Sequence, residues 1–227
     1  TDTAVGAMLA EARPRSDFVP GRIILVCGNL APGGAERQVV NTLLGLAGAG
    51  LRDIALLAHA LNPGPARHDF HLRRLVEAGI PAREIERRVG GLDDPDLPAE
   101  LRRAGRALPE ALLIDIANLV IEFRRARPEI VHAWLDWDCV RAGLAAAIAG
   151  VPRIVLSGRN LAPYRFALYK PYMDPAYRGL ARLANVHFLN NSRAGAEDYA
   201  DWIGIARERI RVVHNGIDAA DCAPLSE

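Results

Sequence analysis

Two adjacent glycines open the stretch in this sequence with the most chemical content, Pro32-Gly33-Gly34-Ala35-Glu36-Arg37. Lacking side chains, Gly33 and Gly34 let backbone amides approach a ligand closely, and the positive end of a following helix favours an anion there. A phosphate or diphosphate is the group such a turn takes; a plain tight turn is the alternative. Arg37 favours the first reading, because an arginine in a first helical turn opposes the dipole unless an anion sits nearby. The stretch contains neither GxGxxG nor GK[ST], so neither the dinucleotide fingerprint nor the P-loop applies.

A second constellation is Val131-His132-Ala133-Trp134-Leu135-Asp136-Trp137-Asp138. His132 reads either as a ligand-facing group or as a satisfied histidine at a strand end. Asp136 and Asp138 form a DxD triplet that could hold a divalent cation and a nucleotide sugar; alternatively, either aspartate caps the next helix. Ser157-Gly158-Arg159-Asn160 and Asn191-Ser192 add polar groups further along, with Arg159 the candidate contact for an anionic substrate and Ser192 an N-cap. Tyr164, Phe166, Tyr169, Tyr172 and Tyr177 concentrate aromatics near Arg165 and Lys170, a composition that lines an acceptor site or packs a core. His68 and His71 lie at i and i+3 without a third ligand nearby, which does not make a metal site. No GxSxG elbow is present.

Elements must place these groups together. Arg22 to Cys27 is a continuous apolar run between glycines, the pattern of a strand buried on both faces of a parallel sheet. Val40, Leu43, Leu44 and Ala47 then repeat at helical spacing, with Gly50 where a C-cap glycine belongs. The alternation continues: a strand near Asp53 to His59, a helix from Arg67 to Ala78, a weak strand near Arg83 to Arg87, and a Pro/Asp loop from Gly90 to Pro98. A long helix follows through Leu112, Ile116 and Phe123. Strands at Ile130 to Trp134, Arg153 to Leu156, Val186 to Asn190 and Ile210 to Val213 complete the pattern, with helices Trp137 to Ala149 and Arg193 to Ile203 between them. The expected fold is α/β, a doubly wound, mainly parallel Rossmann-like sheet with helices on both faces. Residues 1–20 read as a linker or upstream segment, 21–218 as the domain and 219–227 as the start of a hinge.

Composition bounds the rest. The 227 residues are 50% hydrophobic and 24% charged, enough to bury a substantial core. Lys+Arg 28 against Asp+Glu 27 leaves +1, which gives no field that calls for nucleic acid. Cys27, Cys139 and Cys222 are widely spaced and fit a reducing, cytosolic compartment. No apolar stretch reaches the length of a bilayer span.

Taken together, Gly33-Gly34-Ala35-Glu36-Arg37, Val131 to Trp134, Leu144 to Pro152, Ser157 to Asn160, Asn191-Ser192 and Val212-Val213-His214-Asn215-Gly216-Ile217-Asp218 resemble the amino-terminal, acceptor-side half of GT-B-fold glycosyltransferases of family 4. The resemblance spans Arg22 to Asp218. It implies a retaining enzyme that moves a sugar from a nucleotide-diphosphate donor to a glycan, lipid-linked or protein acceptor, with no further cofactor and no metal. It implies that Gly33 and Gly34 face the donor diphosphate, and that His132 matches the first histidine of the family's H-x-H, whose second position is Trp134 here. Arg159 and Asn160 match a polar pair of some members.

The expected set is therefore His132 as the catalytic candidate and Gly33, Gly34, Arg37, Trp134, Asp138, Arg159, Asn160 and Asn215 on the substrate side. The resemblance also implies a C-terminal Rossmann-like domain that supplies most nucleotide contacts and two glutamates eight positions apart, a spacing found nowhere in this chain. The chain alone is then expected to be inactive. Hexosyl transfer in bacterial polysaccharide synthesis, in the cytoplasm or at the inner face of the membrane, is the expected setting. A non-catalytic glycan- or partner-binding module, or one subunit of a split transferase, is the rival. A peripheral membrane contact through Arg102, Arg103, Arg106, Arg124 and Arg125 is a third reading, beside a solvated basic face.

Overall fold

A computed structural model of the chain describes residues 2–104 and 107–217. Arg106, Asp218, Cys222 and the expected hinge at 219–227 lie outside the described residues. In chain order the elements are α1 (Asp2–Leu9), β1 (Val19–Cys27), α2 (Gly34–Gly48), β2 (Ile54–Ala58), α3 (Leu72–Glu77), β3 (Ala82–Glu84), α4 (Ala99–Ala104) and α5 (Glu110–Ala126). There follow β4 (Pro128–Trp134), α6 (Asp136–Ala149), β5 (Arg153–Gly158), α7 (Met173–Ala181), β6 (Val186–Asn190), α8 (Arg193–Ile203) and β7 (Ile210–Val212).

All seven strands are parallel, in the order β3-β2-β1-β4-β5-β6-β7. The doubly wound Rossmann-like sheet expected from the sequence is the sheet observed. Strand order reverses between β1 and β4, where Leu25 pairs with His132 and Val26 with Ala133. That reversal opens a crevice at the carboxyl ends of the strands, the usual ligand position in such sheets.

Period-two alternation divides β1 between two cores. Ile24 and Val26 join the larger core, with α5, α6, α7 and α8. Ile23, Leu25 and Cys27 face the smaller one, built on α2 through Val39, Val40 and Leu43 and on α3 through Leu75. On this second face α2 and α3 cover β1 to β3, whereas Ile130, Val155 and Leu189 of β4, β5 and β6 line an open groove.

Two expectations change. The stretch 1–20, expected as a linker, carries α1, a docked helix: Val5 and Met8 are buried in the larger core. The proline-interrupted stretch that follows it has the composition of a linker. The helix expected from Arg67 to Ala78 is reduced to Leu72–Glu77, because the preceding residues pair with the glycine loop instead. Leu30 N–H donates to His68 O at 2.8 Å and His71 N–H to Leu30 O at 3.0 Å.

The arginine-rich face carries local partners. Arg102 donates to the carbonyls of Asp94, Pro95 and Leu97, and Arg103, Arg124 and Arg125 pair with Glu11, Glu100 and Glu86. These four described arginines are partnered, not a bare cationic surface.

Docking of α1 has a measurable consequence. Met8→Ala is expected to cost about 2–5 kcal/mol in urea unfolding, the range for emptying a buried methionine site. A change below about 0.5 kcal/mol, typical of a surface site, would contradict the docking.

Candidate functional site

The site begins where β1 ends. Asn29 Oδ1 accepts from Ala31 N–H at 2.9 Å and Gly33 N–H donates to Ala31 O at 2.7 Å, which turns the chain into α2. Gly33 is the N-cap in extended conformation and carries no side chain to serve the helix start. The first-turn amides of Gly34, Ala35 and Glu36 therefore have no intrahelical acceptor. The carboxylate of Glu36 folds back over Gly33, so that a Cβ there would collide with it, and nothing lies within 4 Å of a Cβ at Gly34. One negative group already seeks this positive helix end, and open space lies beside it. Arg37 is exposed.

Across the switch point, β4 leads into α6 through Leu135, whose φ of 68° and ψ of 157° are rare for a residue with a side chain. This bend brings the DxD pair in, and its two carboxylates take different partners. Asp136 Oδ1 accepts from the hydroxyls of Tyr177, at 2.8 Å, and Tyr199. Burial outweighs those two hydrogen bonds and holds the Asp136 carboxyl above the usual range. Asp138, 2% exposed, has Oδ1 3.0 Å from His59 Nε2 and 4.0 Å from Arg141 Nη1. Neither aspartate caps α6, whose N-cap is Leu135 without a side-chain bond; the capping alternative is corrected. Among the described residues no three His, Cys, Asp or Glu are grouped to hold a metal ion.

His132 and Trp134 project to the same face of β4. His132 Nε2 lies 2.7 Å from Ser157 Oγ, and its ring is 5.0 Å from that of Trp134. Arg159, leaving β5, sets its guanidinium 4.0 Å above the Trp134 ring. Burial, and then the charge of Arg159, push His132 down to about 3, so the ring is neutral at physiological pH. Burial likewise lowers Arg159 to about 10. Among the described residues no carboxylate forms an ion pair with Arg159, and Trp134 Nε1 is buried without a partner. Gly158 is required here, because a Cβ would meet Tyr199 at 2.9 Å and Asn190 at 3.0 Å.

Two cavities share Trp134 as a wall. The first, about 360 Å³, lies over the switch point and includes Ala35, Glu36, Trp134, Asp136, Asp138, Asn160 and Tyr169. The second, about 460 Å³, runs along the open sheet face and includes Gln38, His132, Trp134, Ser157, Arg159 and His214. The expected residues thus divide: Trp134, Asp138 and Asn160 line the first cavity beside the Gly33-Gly34 turn, and His132 and Arg159 line the second. Asn215 is exposed, between His214 and Gly216 of the second cavity. The aromatic cluster divides as well, with Tyr177 in the core and Tyr169 on the cleft.

Several positioning groups escaped the sequence reading. Gln38, 5% exposed, holds the strap after β7, donating to Gly216 O at 2.6 Å and accepting from Gly216 N–H at 3.0 Å. His59, at the end of β2, faces Asp138. A buried glutamine among Val39 and Val40 was a legible signal; nothing in the sequence marked His59. Ser192, expected as an N-cap, accepts from Gly195 N–H at 3.0 Å.

In parallel α/β sheets, a helix start at the switch point is a common place for an anionic group. Residues 32–221 match the model of Glycosyltransferase Family 4, and the chain belongs to that family. It is 34% identical over 221 residues to the Vi polysaccharide biosynthesis protein VipC/TviE of Salmonella typhi, covering 91% of this chain and 38% of that protein. The chain thus spans well under half of this relative's length. Among solved structures it resembles the lipopolysaccharide outer core galactosyltransferase WaaB in its apo form, with a TM-score of 0.57 and 15% identity over 86% of this chain and 46% of that one. That likeness is one of fold.

The neutral state of His132 has a pH signature. Folded His132 takes a proton only near pH 3, whereas an unfolded histidine takes one near 6.5. The unfolded chain therefore binds the extra proton between those values, and the stabilisation, complete above pH 6.5, is lost as pH falls toward 3. Nitrogen-15 NMR of the imidazole is expected to show a neutral ring at pH 5, and His132→Asn to flatten this part of the pH–stability curve. A protonated ring at pH 5 would contradict the site geometry.

Proposed function

We propose that this chain is the acceptor-side Rossmann-like unit of a retaining glycosyltransferase that transfers a hexosyl group from a nucleotide-diphosphate sugar during polysaccharide synthesis. The observation that carries the reading is the start of α2: first-turn amides without intrahelical acceptors, a cap residue without a side chain, and open space at Gly34, all beside the switch-point crevice. Family membership and the relative's role in Vi polysaccharide biosynthesis support the same direction.

In this reading the charge that develops on the departing diphosphate meets the α2 amides, which are fixed before the reaction and need no reorganisation. The acceptor lies in the cleft between that turn and Trp134. His132, neutral and bonded to Ser157, acts as a positioning group for Trp134 and Arg159 and not as a proton donor. Arg159, a cation stacked on Trp134 without an anionic partner among the described residues, supplies attraction for a negatively charged part of a substrate. A second Rossmann-like unit supplies most nucleotide contacts, so that this chain alone transfers no sugar. The reaction belongs on the cytoplasmic side, where nucleotide sugars are made. Metal-independent transfer is part of this reading, with Asp136 engaged by the hydroxyls of Tyr177 and Tyr199.

Gly34→Val in the natural full-length polypeptide is expected to lower transfer by about 10²-fold or more, the scale for losing one preorganised donor. Stability should stay within about 0.5 kcal/mol, since nothing lies within 4 Å of a Cβ added at this surface position. Near-normal turnover would overturn the diphosphate assignment. Transfer is also expected to survive EDTA; its abolition, reversed by a divalent cation, would restore the DxD reading.

A further inference from the structure

Four of the nine exposed large hydrophobic residues among those described fall within eight consecutive positions: Leu161 at 39%, Tyr164 at 45%, Phe166 at 44% and Leu168 at 70% exposure. They form the segment between β5 and α7, and Phe166 and Leu168 also line the switch-point cleft. The cleft therefore opens onto an apolar lip. An exposed apolar cluster of this kind marks a binding surface more often than chance exposure does.

The lip is built, not frayed. Asp198 of α8 accepts from Ala162 N–H at 2.8 Å, from Tyr164 Oη at 3.2 Å and from Arg165 at 2.6 to 3.0 Å. These bonds fix the segment and pair Arg165, the one cation between Leu161 and Leu168, so that the apolar side chains dominate this stretch, with Lys170 exposed just beyond it. Tyr164 also packs at 6.3 Å from Trp202. The cleft below is amphiphilic: Asn29, Glu36 and Asp138 are polar groups on the side of the β1–α2 turn, and Pro163, Phe166, Leu168 and Met173 are apolar groups from the lip and α7.

We propose that the lip holds a linear apolar chain carried by the acceptor, so that the acceptor is an amphiphile whose polar head lies in the cleft and whose tail runs over Phe166 and Leu168. This rests on the reading of the cleft as the acceptor site. The few polar groups on the β1–α2 side, Asn29 and Glu36, suit a head group within a mainly apolar cleft, and the fixed apolar exit suits a tail; that continuity favours this occupant over a bilayer surface, which would require no connection to the cleft.

The test uses methyl β-glucoside and octyl β-glucoside as probes, both below the micelle concentration of the octyl compound, with binding to the 227-residue chain read by tryptophan fluorescence, since Trp134 and Trp137 line the cleft. The octyl compound is expected to bind at least about tenfold more tightly, a conservative share of what burying its extra methylenes offers. The double variant Phe166→Ser, Leu168→Ser, altered at two exposed positions and checked for an unchanged melting curve, should reduce that preference at least about fivefold. Equal binding of the two probes, or a preference that survives the double variant, would overturn the proposal. So would sedimentation with phosphatidylcholine vesicles that the double variant abolishes while no chain-length preference exists, since the lip would then be a membrane contact. A clear chain-length preference alongside a Gly34→Val protein that still transfers would leave the lip standing and overturn the donor-side reading instead.

Discussion

The pairing of β1 with β4 is the constraint on which the ligand-facing edge depends. These strands are joined through 100 residues of intervening chain, yet they run side by side in parallel register from Ile23–Ile130 to Val26–Ala133. Because the chain winds one way from β1 to β3 and the other way from β4 to β7, the loops after β1 and β4 diverge and leave a crevice between them. The start of α2, the Leu135 bend and the Trp134 ring meet there only because of this adjacency. The apolar run of β1, buried from Ile23 to Cys27, secures it.

Around that crevice, buried polar groups fix orientation. Asp136 is held by Tyr177 and Tyr199 from α7 and α8, and Asp138 lies against His59, just after β2, so the two aspartates of the β4–α6 bend face different parts of the fold. Trp134 stands between two cavities, with Arg159 on its face and His132 at its side. This chain thus sets an aromatic wall and a stacked cation beside the His132 imidazole.

Most of the fold was legible because the central strands are apolar runs bounded by turn residues, and because the α5 and α6 stripes repeat at helical spacing. What the sequence hid was non-local. Residues near His68 pair with Leu30 and leave the helix register, which no periodicity reveals. The α1 face of Ala4, Val5, Met8 and Leu9 is only two turns long, and the proline-interrupted stretch that follows it has the composition of a linker. At the site, the Gly33-Gly34 turn and Trp134 were legible from residue type and place. His59 and Asp198 were not, since their function comes from partners 79 and 36 positions away, Asp138 and Ala162.

The central claim is that the start of α2 receives the diphosphate of a sugar nucleotide. It is tested most directly by backbone amide NMR of the isotopically labelled chain during titration with UDP-glucose and, separately, GDP-mannose. The account requires that the amides of Gly33 to Arg37 shift most with at least one of them, together with the indole signal of Trp134. Saturable shifts confined to other surfaces, with Gly33 to Arg37 unmoved, would contradict it.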